Sequence, residues 1–331
     1  MTRGHIGDME DQTRTLRGLP NLVRPPQPTS RPLEQLLALQ PDVRVLSFTS
    51  GKGGVGKTHI VVNLAYALQR LGARVMILDA DLGLANVDIL LGLAPQFNIQ
   101  HVLEGKKTLT EILVQGPAGM TILPAGTGVH EVAHLTQVQR LRLLDELDAL
   151  QQELDFLLVD TGAGISANVI YFNIAAQDIV IIVTPEPTSL TDAYALVKVL
   201  ATQYAEKHFK VIMNAVSDAT EATEAFRRLS MVTERFLNIS LDYLGFIPHD
   251  AAFSRAVRQQ QALLELYPTS CAARCFRDLA ERLLDIPGSS HPKGNIQFFW
   301  RRLLTGHLQP SSEAVQVVCG GSEDSGDEGV A

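Results

Sequence analysis

The chain has 331 residues, 46% of them apolar and 19% charged, a balance that supports a sizeable buried core and excludes disorder throughout. No uninterrupted apolar run reaches the ~18–20 residues of a spanning helix, and the opening MTRGHIGDMEDQTRTLRG is too polar for a signal peptide, so a soluble cytoplasmic body is expected. The formal charge is −8, yet Glu313, Glu323, Asp324, Asp327 and Glu328 lie in a segment without Lys or Arg, and removing these five acids leaves −3; strong nucleic-acid binding is not expected.

Residues 1–41 read as a flexible arm, a polar leader followed by PNLVRPPQPTSRP, whose prolines remove backbone donors and favour extended chain. Residues 42–285 then alternate short Val, Ile and Leu runs with helix-period segments. VRVLSFTS (43–50) leads into a glycine-rich turn and a helical stretch at 57–71 with the stripe Val61, Leu64, Ala65, Leu68 and Leu71. Further strands are expected at 73–80, 120–125, 156–161, 178–185, 210–216 and 241–248, with helices at 136–153, 188–205 and 219–237. Continuous rather than alternating apolar runs imply strands covered on both faces, and βαβ alternation predicts an α/β, doubly wound, mostly parallel sheet with helices on both faces. Beyond it, 286–310 reads as a linker and amphipathic helix, and 311–331 as a disordered acidic tail.

The turn after the first strand is Gly51-Lys52-Gly53-Gly54-Val55-Gly56-Lys57-Thr58, which satisfies GxxxxGK[ST] between a strand and a helix. Its glycines permit backbone N–H groups to converge on phosphate, and the helix that follows presents its positive end. Lys57 is expected to neutralise the β and γ phosphates, and Thr58 to ligate Mg²⁺. Asp79 and Asp81 sit two apart at the end of the second strand, and Asp160 closes FLLVD at a Walker B position; Thr58, Asp79 and Asp160 form the expected metal set.

Lys52, a second lysine inside the loop, is not required by an ordinary phosphate loop. With it, KGGVGKT resembles the deviant Walker A group of P-loop ATPases, the MinD/ParA family, and within it the flagellar-number regulators of the FlhG/FleN type. The likeness extends through Asp79-Ala80-Asp81-Leu82-Gly83-Leu84-Ala85-Asn86-Val87-Asp88 and Asp160-Thr161-Gly162-Ala163-Gly164-Ile165. It implies an ATP hydrolase acting as a switch: Lys52 reaches the partner's phosphates across a homodimer, Asp81 helps position the attacking water, and Gly164 senses the γ-phosphate. Asp160 would hold magnesium through water. Asn214 resembles the adenine-contacting asparagine, and Pro248-His249-Asp250 the base-pocket segment, so Pro248 and Asp250 join the nucleotide set. No Asn-Lys-x-Asp guanine reader follows the sixth strand, which favours ATP. His59 departs from the usual Thr or Ser after Thr58.

Three segments point to the flagellar branch. Thr184–Lys198 is similar to its segment after the fifth core strand. Asp11-Gln12-Thr13-Arg14-Thr15-Leu16-Arg17 resembles the DQAxxLR motif of arms that stimulate an FlhF-type GTPase, with Thr13 in place of alanine; Asp11, Gln12, Leu16 and Arg17 would meet the GTPase. Ile296, Phe299, Trp300, Leu303 and Leu304 form one helical stripe with Arg301 and Arg302 opposite, a pattern that suits an anionic membrane and resembles the family's targeting helix. Docking of this helix on its own core is the competing reading, and a latch released by ATP would combine both. The implied location is cytoplasmic, reversibly peripheral at the inner face of the cell membrane. Flagellar basal-body components or a flagellar transcription regulator are further candidate partners.

His130-Glu131-Val132-Ala133-His134 spells HExxH but has no evident third ligand. The three cysteines, Cys271, Cys275 and Cys319, lack CxxC spacing, which fits a reducing compartment and disfavours an iron–sulfur carrier. A DNA-partitioning ATPase is the main rival reading; the acidic balance and aromatic helix disfavour it.

Overall fold

The computed structural model describes residues 43–81, 86–124 and 154–286, together with Leu143, Glu146, Leu147, Leu150, Phe299, Trp300 and Arg302. Where the apolar runs are continuous, strands form and are buried on both faces. The strands are β1 (Arg44–Ser50), β2 (Val75–Ala80), β3 (Val114–Gln115), β4 (Thr121–Pro124), β5 (Phe156–Ala163), β6 (Asp178–Val183), β7 (Phe209–Val216) and β8 (Leu241–Pro248). They make one eight-stranded sheet in the order β3-β4-β2-β5-β1-β6-β7-β8, parallel throughout except where β3 meets β4. The sequence pattern misses β3, because two residues at a sheet edge carry no period.

Alternate residues of each strand serve opposite layers. Leu46 and Phe48 of β1 face a layer built by α1 (Lys57–Arg70) and by Phe276, Leu279 and Leu283 near the chain's C-terminal side, whereas Val45 faces the other layer. That second layer holds α2 (Ala167–Ala175), α3 (Pro187–Tyr204) and α4 (Ala219–Leu237). Pro187 opens α3 at a position whose N–H has no helical partner, and Asp218 caps α4 by accepting from Thr220 and Glu221 N–H at 2.8 and 2.9 Å. Two longer helices, α5 (Ala251–Arg258) and α6 (Cys271–Asp285), follow β8, with the single turn Leu263–Leu266 between them. Of the expected helix at 136–153, Leu143, Glu146, Leu147 and Leu150 are helical, the three leucines buried and Glu146 half-buried; the rest lies outside the described residues. No helix among the described residues is long and apolar enough to cross a membrane.

In this order β1 lies between β5 and β6, so the chain leaves β1 first to one side of the sheet and later to the other. The crevice above such a reversal, at the carboxyl ends of the strands, is where open α/β sheets bind ligands.

Candidate nucleotide site

β1 ends at Ser50, and the glycine-rich turn after it opens a cavity of about 480 Å³. Gly54 and Gly56 take positive φ values of 79° and 87°, which bend the loop before Lys57 starts α1. Gly56 is the N-cap and supplies no side-chain acceptor, so the first helical amides have no capping partner and face the cavity, an arrangement that draws phosphate. Gly51 serves a different purpose. A Cβ there would lie 2.2 Å from the carbonyl carbon and oxygen of Asp192, so its lack of a side chain lets the loop rest on the backbone of α3.

Lys57 Nζ meets Asp160 Oδ1 at 2.5 Å, and both side chains are buried. Burial pushes the Asp160 carboxyl up, while the charge and hydrogen bond of Lys57 and the Thr58 hydroxyl pull it down; the net direction is upward. Its second oxygen, Oδ2, is buried with no hydrogen-bond partner among the described residues. An orphaned carboxylate oxygen beside a threonine hydroxyl is a hard-oxygen environment of the kind Mg²⁺ takes, so Thr58 and Asp160 fit that ion.

Asp79 does not share that geometry. Its Oδ1 accepts from Asp81 N–H at 3.2 Å and its Oδ2 from Asn86 and Val87 N–H at 3.0 and 3.1 Å. The carboxylate therefore anchors the two ends of the segment between β2 and the short helix Val87–Leu90. Burial, then the nearby Asp160 charge, push its carboxyl up to about 6. Asp81 lines the cavity, and a Cβ at Gly162 would lie 3.6 Å from its Oδ1, which places this acid beside the end of β5. Gly164, at φ 88°, donates its N–H to Ser50 O at 2.8 Å, so in this form the amide expected to sense the γ-phosphate is held by the end of β1, next to the phosphate loop.

Lys52 Nζ turns to the rim, at 2.8 Å from Glu186 Oε2 and 3.2 Å from Thr188 Oγ1. Asn214 approaches the loop from β7, its Nδ2 donating to Val55 O at 2.7 Å. Pro248 ends β8, and Asp250 caps α5, accepting from Ala252 N–H at 2.8 Å and Ala272 N–H at 3.3 Å. None of Asn214, Pro248 and Asp250 lines the cavity. Its far wall is made instead by His59, Asn86, Ile89, Leu90, Val257 and Gln260, which sequence reasoning did not assign to a wall. Gln260 Nε2 donates to Ile89 O at 2.7 Å and ties the end of α5 to the helix after β2, a contact between positions with no shared pattern. His59 packs edge-on against Phe253, and burial lowers its imidazole pKa.

The stripe expected to meet a membrane is partly described, and what is described is buried. Phe299 and Trp300 are 1% and 3% exposed and pack with Leu143, Leu147, Leu150 and Phe172. Arg302 Nη1 donates to Ile174 O at 2.6 Å, and its own carbonyl accepts from Tyr171 Oη–H at 3.1 Å. In this form the aromatic face is covered by the protein, because an apolar stripe is satisfied by any apolar surface it can reach. Ile296, Arg301, Leu303 and Leu304 lie outside the described residues, as do Asp11, Gln12, Leu16, Arg17 and the HExxH segment. Cys271 is exposed and Cys275 half-buried, and no group of three or more metal-binding side chains occurs among the described residues.

A sequence model for the family described as "ParA: NUBPL iron-transfer P-loop NTPase" matches residues 43–284. The chain is 43% identical to the antiactivator FleN of Pseudomonas aeruginosa, over 82% of this chain and 97% of that protein. It is 33% identical to the flagellum site-determining protein YlxH of Helicobacter pylori, over 80% of this chain and 90% of that one. Among solved structures, a chain of the MinC:MinD cell division protein complex of Aquifex aeolicus superposes with a TM-score of 0.58 and 28% identity, covering 74% of this chain and 98% of that one. The septum site-determining protein MinD complexed with Mg-ADP, from Pyrococcus horikoshii, gives a TM-score of 0.59 and 25% identity over 73% and 96% of the two chains.

Proposed function

This chain belongs to the ParA family of P-loop NTPases, and from that premise we propose that it is an ATP-switched homodimer that sets flagellar number or placement. The observation that carries the reading is the division between two lysines of one loop. Lys57 is buried against Asp160, while Lys52 is exposed at the rim beside Glu186 and Thr188. An exposed ion pair is worth only ~0–1 kcal/mol, so Lys52 can leave it for a phosphate presented by a second copy, and Lys57 serves the nucleotide of its own chain.

Thr58 and Asp160 would hold Mg²⁺, which would supply positive charge to offset that of the nucleotide's phosphates. Asp81 orients the attacking water. Gly164 exchanges Ser50 O for the γ-phosphate, so the segment after β5 follows the nucleotide. The likeness to FleN and YlxH supports the flagellar assignment. The helix carrying Phe299 and Trp300, covered in the present form, leaves its groove with ATP and meets an anionic membrane at the inner face. Residues 11–17 stimulate an FlhF-type GTPase, with Gln12 as the polar reader.

Analytical ultracentrifugation with ATP tests the core of this reading. Lys57→Ala is expected to lose nucleotide binding, and Lys52→Ala to bind as a monomer without ATP-dependent dimerisation. Normal dimerisation of the Lys52 variant would overturn it.

A further inference from the structure

α2 runs between the nucleotide site and the groove that covers the aromatic stripe. It starts three residues after Gly164, whose N–H rests on Ser50 O at 2.8 Å, and its far half seats the helix that carries Phe299 and Trp300. Phe172 packs with both rings, Tyr171 Oη donates to Arg302 O at 3.1 Å, and Ile174 O accepts from Arg302 Nη1 at 2.6 Å. Just past α2, Gln177 pins the chain to β1 through two bonds, its N–H donating to Val45 O at 3.1 Å and its Oε1 accepting from Val45 N–H at 3.0 Å. A nine-residue helix moves as one body, so with the Gln177 end fixed, a displacement at the Gly164 end carries the seat with it.

One side-chain bond holds the middle of this rod to the sheet. Asn173 Nδ2 donates to Thr49 Oγ1 at 3.1 Å, and both residues are fully buried. With Thr161 Oγ1 donating to Phe48 O at 2.9 Å, three consecutive residues of β1 each hold one point between Thr161 and Asn173. Asn173 Oδ1 is buried with no hydrogen-bond partner among the described residues, a cost that an apolar side chain at this position avoids. Packing alone therefore does not account for the amide. We propose that Asn173 is a positioning residue whose bond to Thr49 sets the resting place of α2, and that this bond is given up when Gly164 leaves Ser50 O for a γ-phosphate, so that the seat of the aromatic helix opens in the same movement. The inference rests on the role proposed above for Gly164. A bond present only in the resting form favours that form, so it lowers affinity for a nucleotide that carries a γ-phosphate and leaves affinity for one without it unchanged.

Two measurements on the full chain test this: equilibrium affinity for Mg-ADP and for a non-hydrolysable Mg-ATP analogue, and hydrogen exchange of the backbone amides around Trp300 with and without that analogue. Asn173→Leu removes the donor, Thr49→Val removes the acceptor at constant shape, and Thr49→Ser keeps it. Loss of one neutral hydrogen bond is expected to tighten the ATP analogue about fivefold in the Leu and Val variants, with ADP unchanged. Exchange around Trp300 without nucleotide should quicken by a similar factor, and the further acceleration caused by the analogue should shrink to match. Thr49→Ser should behave as the wild type. Melting curves check folding, and should Asn173→Leu fail to fold, Thr49→Val decides. An unchanged ratio of analogue to ADP affinity, or a fall in both affinities together, would overturn the inference and leave the pair a structural contact. A wild-type chain whose exchange around Trp300 ignores the analogue would sink the release of the aromatic helix by ATP, with the tie between Asn173 and Thr49 still decided by the two affinities.

Discussion

Gly51 and Gly53 stand two positions apart in one motif, and the structure predicts opposite outcomes for the same substitution. At Gly51 an added Cβ lies 2.2 Å from Asp192 C and O and 2.6 Å from Ala193 N, all backbone atoms inside α3. No rotamer relieves such an overlap, so either the loop or the helix has to withdraw by roughly an ångström. Overpacking of a tight contact costs ~1–3 kcal/mol, and a backbone-on-backbone overlap belongs at the upper end. About 3 kcal/mol is therefore expected for Gly51→Ala, a fall of ~6–12 °C in Tm for a domain of this size. At Gly53 an added Cβ meets nothing within 4 Å and φ is not positive, so Gly53→Ala is expected to stay within ~0.5 kcal/mol of the wild type. Urea unfolding of both variants without nucleotide reads the difference directly, since it samples folding rather than phosphate binding. Equal midpoints for the two would refute the claim that the loop is wedged against α3.

Three further outcomes follow from the site. Asp79, raised from 3.8 to about 6, binds its proton more tightly when folded, so its ionisation opposes folding; the penalty is absent below 3.8, grows up to 6 and is complete above it. Wild type should therefore gain about 1 kcal/mol between pH 7 and pH 5 relative to Asp79→Asn, and parallel pH profiles of stability would contradict this. Asp160→Asn leaves Lys57 charged and buried without its carboxylate, and a loss of about 3 kcal/mol is expected in denaturant unfolding, together with loss of Mg²⁺-dependent hydrolysis. Trp300→Ala removes a side chain that is 3% exposed and stacks edge-on with Phe299 at 4.9 Å, a truncation that costs ~3–5 kcal/mol in a core. The helix should undock, and limited proteolysis between 286 and 299 should accelerate at least tenfold; an unchanged cleavage rate would show that Trp300 is not what holds it.

Much of this protein is written locally. The strands are legible because a residue buried on both faces has to be apolar at every position, and the phosphate loop because eight contiguous residues carry its backbone, its cation and its metal hydroxyl. The parallel order follows from helices long enough to cross back between strands. β3 escaped because two residues at an edge bear no periodic signal.

What the chain order left open is how distant groups divide a limited set of hydrogen bonds and contacts. Asp79 and Asp160 look alike as strand-end acids, but three backbone amides claim one of them, while the other is left with a lysine and an oxygen that has no partner among the described residues. Lys52 faces Glu186 across 134 positions, and Asn214 faces Val55 across 159; neither pairing has a period or a spacing to announce it. Gly51 and Gly53 are the same letter, separated only by whether α3 lies behind them. The aromatic stripe at Phe299 and Trp300 was visible from its 3.6-residue period, yet that period specifies only an apolar face. Whether bilayer or protein covers such a face depends on which surface is within reach, and here the groove beside α2 is close enough to bury both rings.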